Sequence, residues 1–134
     1  MLNSIGSLRV RTYAAQGALP VKNAVVRIIG AEENNRLVAF SSITDVDGLS
    51  DKFILPAPDV NYSLSPSPEE LPYALYDLEV SADGYYTKRI KGLTVFSGVN
   101  SIQLVNMIPG SGNLIEDYPR GSVNYIIPEN TDLQ

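Results

Sequence analysis

The fold is decided by one stretch, Tyr76-Asp77-Leu78-Glu79-Val80-Ser81-Ala82-Asp83-Gly84-Tyr85. Its apolar residues Tyr76, Leu78 and Val80 alternate with polar ones and therefore point to one face of an extended chain. This period of two is typical of a half-buried β-strand. Asp83-Gly84 then supplies the positive φ that a tight hairpin turn requires. The stretch predicts a strand followed by a turn.

Seven further segments show strand-like patterns, and no window repeats its apolar residues at helical spacing. These predicted strands are Ser7–Tyr13, Val25–Ile29, Leu37–Thr44, Lys52–Leu55, Tyr85–Ile90, Leu93–Phe96 and Ser101–Ile108. Seven or eight short strands separated by turns predict an all-β fold, an antiparallel Greek-key sandwich.

Two interruptions set the organisation of the chain. Residues 55–72 hold five of the nine prolines. Because proline cannot donate a ladder hydrogen bond, this segment is predicted to be an extended crossing loop. Gly110-Ser111-Gly112-Asn113 follows the last strand as a flexible joint. We therefore predict a β-sandwich domain over residues 1–109 and a C-terminal extension or arm over residues 110–134.

The extension contains one strand-like run, Ser122–Ile127, whose apolar residues have high β-propensity. Three alternatives are open for the extension: it adds a strand to a sheet edge, contacts another molecule as an arm, or is disordered. On the arm hypothesis, truncation after Pro109 leaves a folded domain and weakens self-association or partner binding.

The order of these motifs resembles that of prealbumin-like (transthyretin-like) sandwiches, which include carboxypeptidase regulatory-like and Cna B-type domains. The matching motifs lie between Gly6 and Pro109 and are Ser7–Thr12, Gly17–Ile28 with Gly-x-x-Pro-Val, Thr44–Gly48 and Tyr76–Tyr85. The resemblance implies a seven-stranded sandwich used for adhesion, spacing or anchoring, commonly at a bacterial cell surface. Met1–Ser7 shows no signal-peptide pattern.

Composition argues against several classes of function. The 134 residues include no cysteine and no histidine. The chain thus lacks disulfides, the usual zinc ligands and the usual general base, so we predict no cofactor and no enzymatic activity. The net charge of -5 argues against nucleic acid as a partner, because such binding needs a basic surface. No stretch approaches the roughly 20 apolar residues that span a membrane.

Two groups of acidic residues are candidates for chemistry. Asp77 and Glu79 share one strand face, where a hydrolase could use a pair of carboxylates, but a solvated strand face is the more frequent explanation. Asp45, Asp47 and Asp51 are close enough to hold calcium, yet the EF-hand spacing is absent and a turn accounts for them. We predict no catalytic and no metal-binding residues.

Cna B-type domains often carry a Lys–Asn isopeptide bond promoted by a core Glu. The resemblance would place this bond between Lys22 and either Asn100 or Asn106. In those domains the Glu belongs on the core side, where burial raises its pKa, whereas Glu79 lies opposite the apolar face of its strand and is predicted to face water. We therefore predict that the bond is absent.

The candidate contact residues lie in or beside loops and in the extension: Tyr62, Tyr73, Tyr86, Tyr118, Val123, Tyr125 and Ile126. Tyrosine makes rigid amphipathic contacts at interfaces. We predict a non-catalytic structural or protein-interaction module of a bacterial cell or spore surface. Its partner is another protein or a second copy, bound through a strand edge or the C-terminal arm. The alternative is a cell-wall or glycan-binding accessory module, and a weak hydrolase is the least favoured hypothesis.

Overall fold

A computed structural model of the chain describes residues 2–59, 72–110, 114–117 and 124–126. Within these residues the chain forms ten strands: β1 (Ser4–Ala14), β2 (Leu19–Pro20), β3 (Val25–Gly30), β4 (Ala39–Ile43), β5 (Phe53–Ala57), β6 (Ala74–Ser81), β7 (Thr87–Val95), β8 (Asn100–Asn106), β9 (Leu114–Asp117) and β10 (Asn124–Ile126). The helical structure of the described part is limited to two 3-10 turns, Ala15–Gly17 and Glu33–Asn35. The described residues contain no helix long and apolar enough to cross a membrane. The predicted all-β class is confirmed.

The strands form two sheets that pack against each other. The first sheet has the order β10-β8-β1-β2, with β5 also paired to β1, and the second has the order β4-β3-β6-β7-β9. Both sheets are mixed rather than purely antiparallel, because β1 pairs in parallel with β8 and β7 in parallel with β9. The sequence pattern does not distinguish the two kinds of pairing, since side chains alternate in the same way in both.

The core lies between the sheets and is built from the alternating residues that the sequence predicts. Tyr76, Leu78 and Val80 of β6 and Leu8 and Val10 of β1 are fully buried. Burial of a large apolar side chain of this kind contributes about 1.5–3 kcal/mol. The other large buried apolar residues are Val21, Val26, Ile28, Phe53, Leu55, Ile90, Leu93, Val95, Val105 and Met107. All of these buried apolar residues precede residue 110.

One strand, β7, replaces two predicted strands. The segments Tyr85–Ile90 and Leu93–Phe96 were expected to be separate, but β7 runs through both, with a register shift opposite Tyr76 and Leu78. Gly92 lies at this irregularity with a φ of 78°, and its N–H donates to Asp77 Oδ1 at 3.0 Å. A bulge inserts one residue and reverses the alternation, which makes one strand look like two.

Strand β5 extends further into the proline-rich segment than predicted. It ends at Ala57 rather than Leu55 and includes Pro56. Within the described residues β5 pairs only with β1, so it is an edge strand, where proline is tolerated. Residues 60–71 of the predicted crossing loop lie outside the described residues.

The polar connection between β3 and β4 contains a 3-10 turn closed by a buried side chain. Asn35 is 2% exposed; its Oδ1 accepts from Glu32 N at 2.8 Å, and its Nδ2 donates to Leu75 O at 2.9 Å. β4 begins at Ala39 rather than at Leu37, which is 92% exposed. The sequence marks the turn but not the burial, because only the folded chain brings Leu75 beside it.

The extension supplies an edge strand to each sheet. β10, within the predicted run Ser122–Ile127, pairs with β8 in the first sheet, and β9 pairs with β7 in the second. β9 was not predicted, because Leu114–Asp117 is short and half of its residues are acidic. The boundary at residue 109 stays a prediction.

Candidate interaction surfaces

A row of alternating charges crosses the outer face of the second sheet. Arg27, Glu79, Arg89 and Glu116 are direct neighbours on β3, β6, β7 and β9. Arg89 contacts both carboxylates, with Nη2 3.0 Å from Glu79 Oε1 and Nη1 3.3 Å from Glu116 Oε2. The hydrogen bond to Glu79 is the main cause that raises the pKa of Arg89. This row joins β9 of the extension to the sandwich.

A second ion pair joins β9 to β7 from the opposite face. Lys88 Nζ lies 3.1 Å from Asp117 Oδ2, and the Lys88 side chain is only 13% exposed. The same ammonium group donates to the Asn106 carbonyl at 3.2 Å. Both acidic residues of β9 are therefore paired with basic residues of β7.

The candidate carboxylate pair has structural partners. Asp77 accepts the Gly92 N–H at the bulge, and Glu79 accepts from Arg89. The two residues, with Arg27 and Arg89, line a small cleft of about 190 Å³. The contacts of Asp77 and Glu79 join β6 to β7 within the second sheet.

The acidic turn is held by its own backbone. Asp45 Oδ1 accepts from Leu49 N at 3.0 Å and from Asp47 N at 2.8 Å. The bond from Leu49 is the largest cause that lowers the pKa of Asp45. Asp51 lies beyond the turn, and its N–H donates to Ser42 Oγ at 2.9 Å. Over residues 2–59, 72–110 and 114–117, no cluster of three potential metal ligands is found.

The residues considered for an isopeptide bond belong to different elements of the fold. Lys22 is exposed, and Glu79 is on the outer face of the second sheet, bonded to Arg89. Asn100 and Asn106 belong to β8 in the first sheet and alternate with its buried residues, so both lie on that sheet's outer face. The face predicted for Glu79 is confirmed.

We expect the intact mass of the protein to equal the mass of its sequence. An isopeptide bond would release one ammonia, and its formation needs a buried, protonated carboxyl group beside the lysine. Glu79 does not provide one. Mass spectrometry of the full chain, with Lys22→Ala as the control, tests this. A mass lower by one ammonia that returns to the sequence value in Lys22→Ala would contradict the expectation.

Two of the candidate tyrosines pack against the chain itself. Tyr73 is half-buried, and its ring centroid is 5.4 Å from that of Phe96. Tyr86 is half-buried and covers Gly110, where an added Cβ would overlap the Tyr86 ring. Both rings therefore close the rim of the sandwich.

For the other candidate contact residues, the structure describes at most the backbone pairing. In β10, Tyr125 pairs with Ile102, and Ile126 pairs with Ser101. Tyr62, Tyr118 and Val123 lie outside the described residues. The role of this set in binding stays a prediction.

An open groove lies on the outer face of the first sheet and was not predicted. It has a volume of about 430 Å³ and is lined by Arg11, Tyr13, Gly17, Leu104 and Asn106. The parallel register sets Arg11 beside Leu104 and Tyr13 beside Asn106. Sequence reasoning missed it because the two strands are far apart in the chain.

The β4 edge of the second sheet is uncharged. Within the described residues β4 pairs only with β3. The segment Leu37–Thr44 has no charged residue and no proline. Phe40 is 45% exposed and Ile43 is 63% exposed. An exposed apolar edge of this kind is a template for pairing with another strand.

The other edges carry the protection that β4 lacks. β9 has Glu116 and Asp117, β5 has Pro56, and β2 has Pro20, while β10 is three residues long. Charges, prolines and shortness all discourage edge-to-edge pairing. The absence of charge from residues 37–44 was visible in the sequence, but its significance depends on the strand order.

Comparison with solved structures identifies the fold. Over 90% of this chain and 97% of the other, transthyretin from Sparus aurata matches with a TM-score of 0.51 and 8% identity. The Bacillus anthracis TIE protein matches over 79% of this chain with a TM-score of 0.51 and 17% identity. The chain spans only 17% of the length of that protein. The fold is thus a transthyretin-like (prealbumin-like) β-sandwich, as the sequence motifs predict.

Other comparisons add less. Catechol 1,2-dioxygenase from Acinetobacter sp. ADP1 matches with a TM-score of 0.48 and 15% identity, over 84% of this chain and 58% of the other. No family model matches the chain, and no curated protein matches it. At these identities the likeness concerns the fold alone.

Proposed function

We propose that this transthyretin-like sandwich is a non-catalytic protein-interaction module that assembles by strand pairing at the edge of a sheet. The observation that carries the proposal is the exposed β4 edge, which has neither charge nor proline. An extended segment that adds to such an edge gains main-chain hydrogen bonds, and side chains on alternate positions give specificity. A bacterial cell or spore surface is the proposed setting, in keeping with the likeness to a Bacillus anthracis protein.

A non-catalytic role is supported by the chemistry of the chain. The sequence has no histidine and no cysteine. The acidic residues Asp77 and Glu79 are engaged by a backbone N–H and by Arg89. Such engaged carboxylates stabilise the sheet, whereas a catalytic acid or base must lie within hydrogen-bond reach of a substrate proton.

The test of the proposal is Ser41→Pro in the full chain, with Ser41→Ala as the matched control. The N–H of Ser41 points away from β3, so proline removes a donor from the free edge but no bond from the sheet. We expect the wild type and Ser41→Ala to self-associate or to co-sediment with isolated envelope or spore-coat material. Ser41→Pro should lose this association and keep its circular dichroism spectrum.

The outcomes separate the proposal from its alternatives. A wild-type chain that stays monomeric and does not co-sediment would contradict the proposal, as would unchanged association in Ser41→Pro. The glycan alternative is favoured by the groove that Tyr13 and Arg11 line. Binding to purified peptidoglycan that survives Ser41→Pro and is lost in Tyr13→Ala would establish that alternative instead.

Truncation after Pro109 is expected to leave a folded but less stable domain. The buried apolar residues named for the core all precede residue 110, whereas β9 contributes partly exposed ion pairs. We expect a free energy of unfolding lower by about 1–2 kcal/mol and a melting temperature lower by about 4–10 °C. Because the deletion uncovers the edges of β7 and β8, self-association should increase rather than weaken.

Calorimetry and sedimentation of the two forms measure both effects. Weaker association after truncation would favour the arm hypothesis that the sequence suggested. An unfolded truncated chain would show that the extension is an integral part of the sandwich. Equal stability and equal association would mean that β9 and β10 contribute nothing to either property.

A further inference from the structure

We propose that β4 pairs in antiparallel fashion with β4 of a second copy of this chain, about a two-fold axis at Ser41. The inference rests on the proposed function and names its partner. Two five-stranded sheets would thereby join into one continuous sheet across the dimer.

The backbone groups available for this pairing are those of alternate β4 residues. The Val38 carbonyl accepts from Gly30 N, and Thr44 N donates to the Ala24 carbonyl, both at 2.9 Å. Residues of the same parity as Val38 and Thr44 thus turn their N–H and C=O groups toward β3. In an antiparallel ladder the intervening residues face the other way. These are Ala39, Ser41 and Ile43.

The register follows from these three residues. An axis at Ser41 places Ser41 opposite its own copy and Ala39 opposite Ile43 of the second copy. All three residues of each strand then exchange main-chain hydrogen bonds. If one strand slides by two residues in either direction, one of the three residues loses its partner. If it slides by one residue, the free backbone groups of one strand face residues whose backbone groups already bond to β3. The register centred on Ser41 therefore satisfies the most backbone groups.

The charges at the ends of β4 favour a second copy in the antiparallel direction. Arg36 precedes the strand with a side chain that is 67% exposed, and Asp45 and Asp47 follow it, also exposed. Arg36 also forms an ion pair with Glu33 at 3.5 Å, and antiparallel pairing about Ser41 would place the Arg36 guanidinium of one copy beside Asp45 and Asp47 of the other. Parallel pairing would bring like charges together at both ends. Between these ends β4 has no charged residue, so no like charges would face each other across the two-fold axis.

The side chains are also complementary in size. Ile43, 63% exposed, would lie beside the small Ala39 of the second copy on the outer face. Phe40, 45% exposed and 6.4 Å from the Phe53 ring between centroids, would lie opposite Ser42 of the second copy. In each pair a large apolar residue meets a small one, which lets the two strands approach to the normal distance.

The experiment uses single cysteines, because the natural chain has none. Paired residues in an antiparallel ladder have Cα atoms about 5.5 Å apart, within the range of a disulfide. Ser41→Cys should therefore form a disulfide-linked dimer under mild oxidation. Ser81→Cys is the matched control, since Ser81 lies on the same outer face but on the interior strand β6. We expect about tenfold more covalent dimer from Ser41→Cys than from Ser81→Cys.

The register is tested by a pair of variants. Ala39→Cys and Ile43→Cys should each give little covalent dimer alone and should cross-link when mixed. Equal cross-linking of Ser41→Cys and Ser81→Cys, or cross-linking of Ala39→Cys with itself, would overturn the inference. If self-cross-linking fails while Ser41→Pro still abolishes binding to envelope or spore-coat material, the partner is another protein and the proposed function stands. If both fail, the β4 edge is not an interface.

Discussion

Gly30→Ala is expected to lower the free energy of unfolding by about 3–4 kcal/mol, a large fraction of the stability of a domain of this size. Gly30 ends β3 where the chain enters the 3-10 turn. A Cβ there would overlap the Asn35 carbonyl and lie 2.6 Å from Asn35 Oδ1. The Asn35 amide holds Glu32 N and Leu75 O, so displacing it leaves buried polar groups without partners.

The control for this variant is Gly84→Ala. Gly84 has a φ of 86° and no atom within 4 Å of an added Cβ, so its substitution costs only the strain of a left-handed conformation, about 1 kcal/mol. Urea unfolding of both variants separates a steric clash from backbone strain. Equal midpoints for the two would show that Asn35 does not pack over Gly30.

Tyr76→Ala is expected to cost about 4–5 kcal/mol, the larger of the two effects. The ring is fully buried on the core face of β6, and its hydroxyl donates to the Pro56 carbonyl of β5 at 2.6 Å. This bond connects the second sheet to the first. Tyr76→Phe keeps the ring and removes the bond, so it should cost only about 1–2 kcal/mol. If both variants cost the same in urea unfolding, the hydroxyl rather than the packing of the ring would be decisive.

The pH dependence of stability gives an independent measurement at Tyr76. Burial, with a further contribution from the nearby Glu32 carboxylate, raises the pKa of Tyr76 from 10.0 to about 12. The unfolded chain therefore loses this proton at a lower pH than the folded chain does. The corresponding stability is fully present below pH 10 and is lost as the pH rises toward 12. Tyr76→Phe should lose less stability than the wild type over this interval, and identical curves would mean that Tyr76 is accessible to solvent.

The residues of β6 show what local pattern can predict. Tyr76, Leu78 and Val80 were assigned to the core and Glu79 to the outer face from alternation alone, and the structure agrees. The same alternation in Ser7–Tyr13 puts Leu8, Val10 and Thr12 on one face, and all three are buried. This reasoning succeeds because a strand buried on one face has a period of two in its own sequence, whatever its neighbours are.

Strand β8 shows where that reasoning is insufficient. Its buried residues are Ser101, Gln103 and Val105, whereas the apolar Ile102 and Leu104 lie on the outer face. The parallel register with β1 decides this, because Val10 faces the core and is paired with Gln103. Residues paired across a ladder share a face, so a neighbouring strand can override the polarity of a sequence.

The sequence by itself determined the all-β class, the main core strands and the lack of histidine and cysteine chemistry, because these depend on composition and on contacts within a few residues. Only the tertiary structure decided the candidate surfaces. The joining of β9 to β7 depends on Lys88 and Arg89 meeting Asp117 and Glu116. The exposure of the β4 edge depends on its terminal place in the strand order. Strand order is fixed by contacts between residues far apart in the chain, and the period of a single strand carries no information about which strand lies beside it.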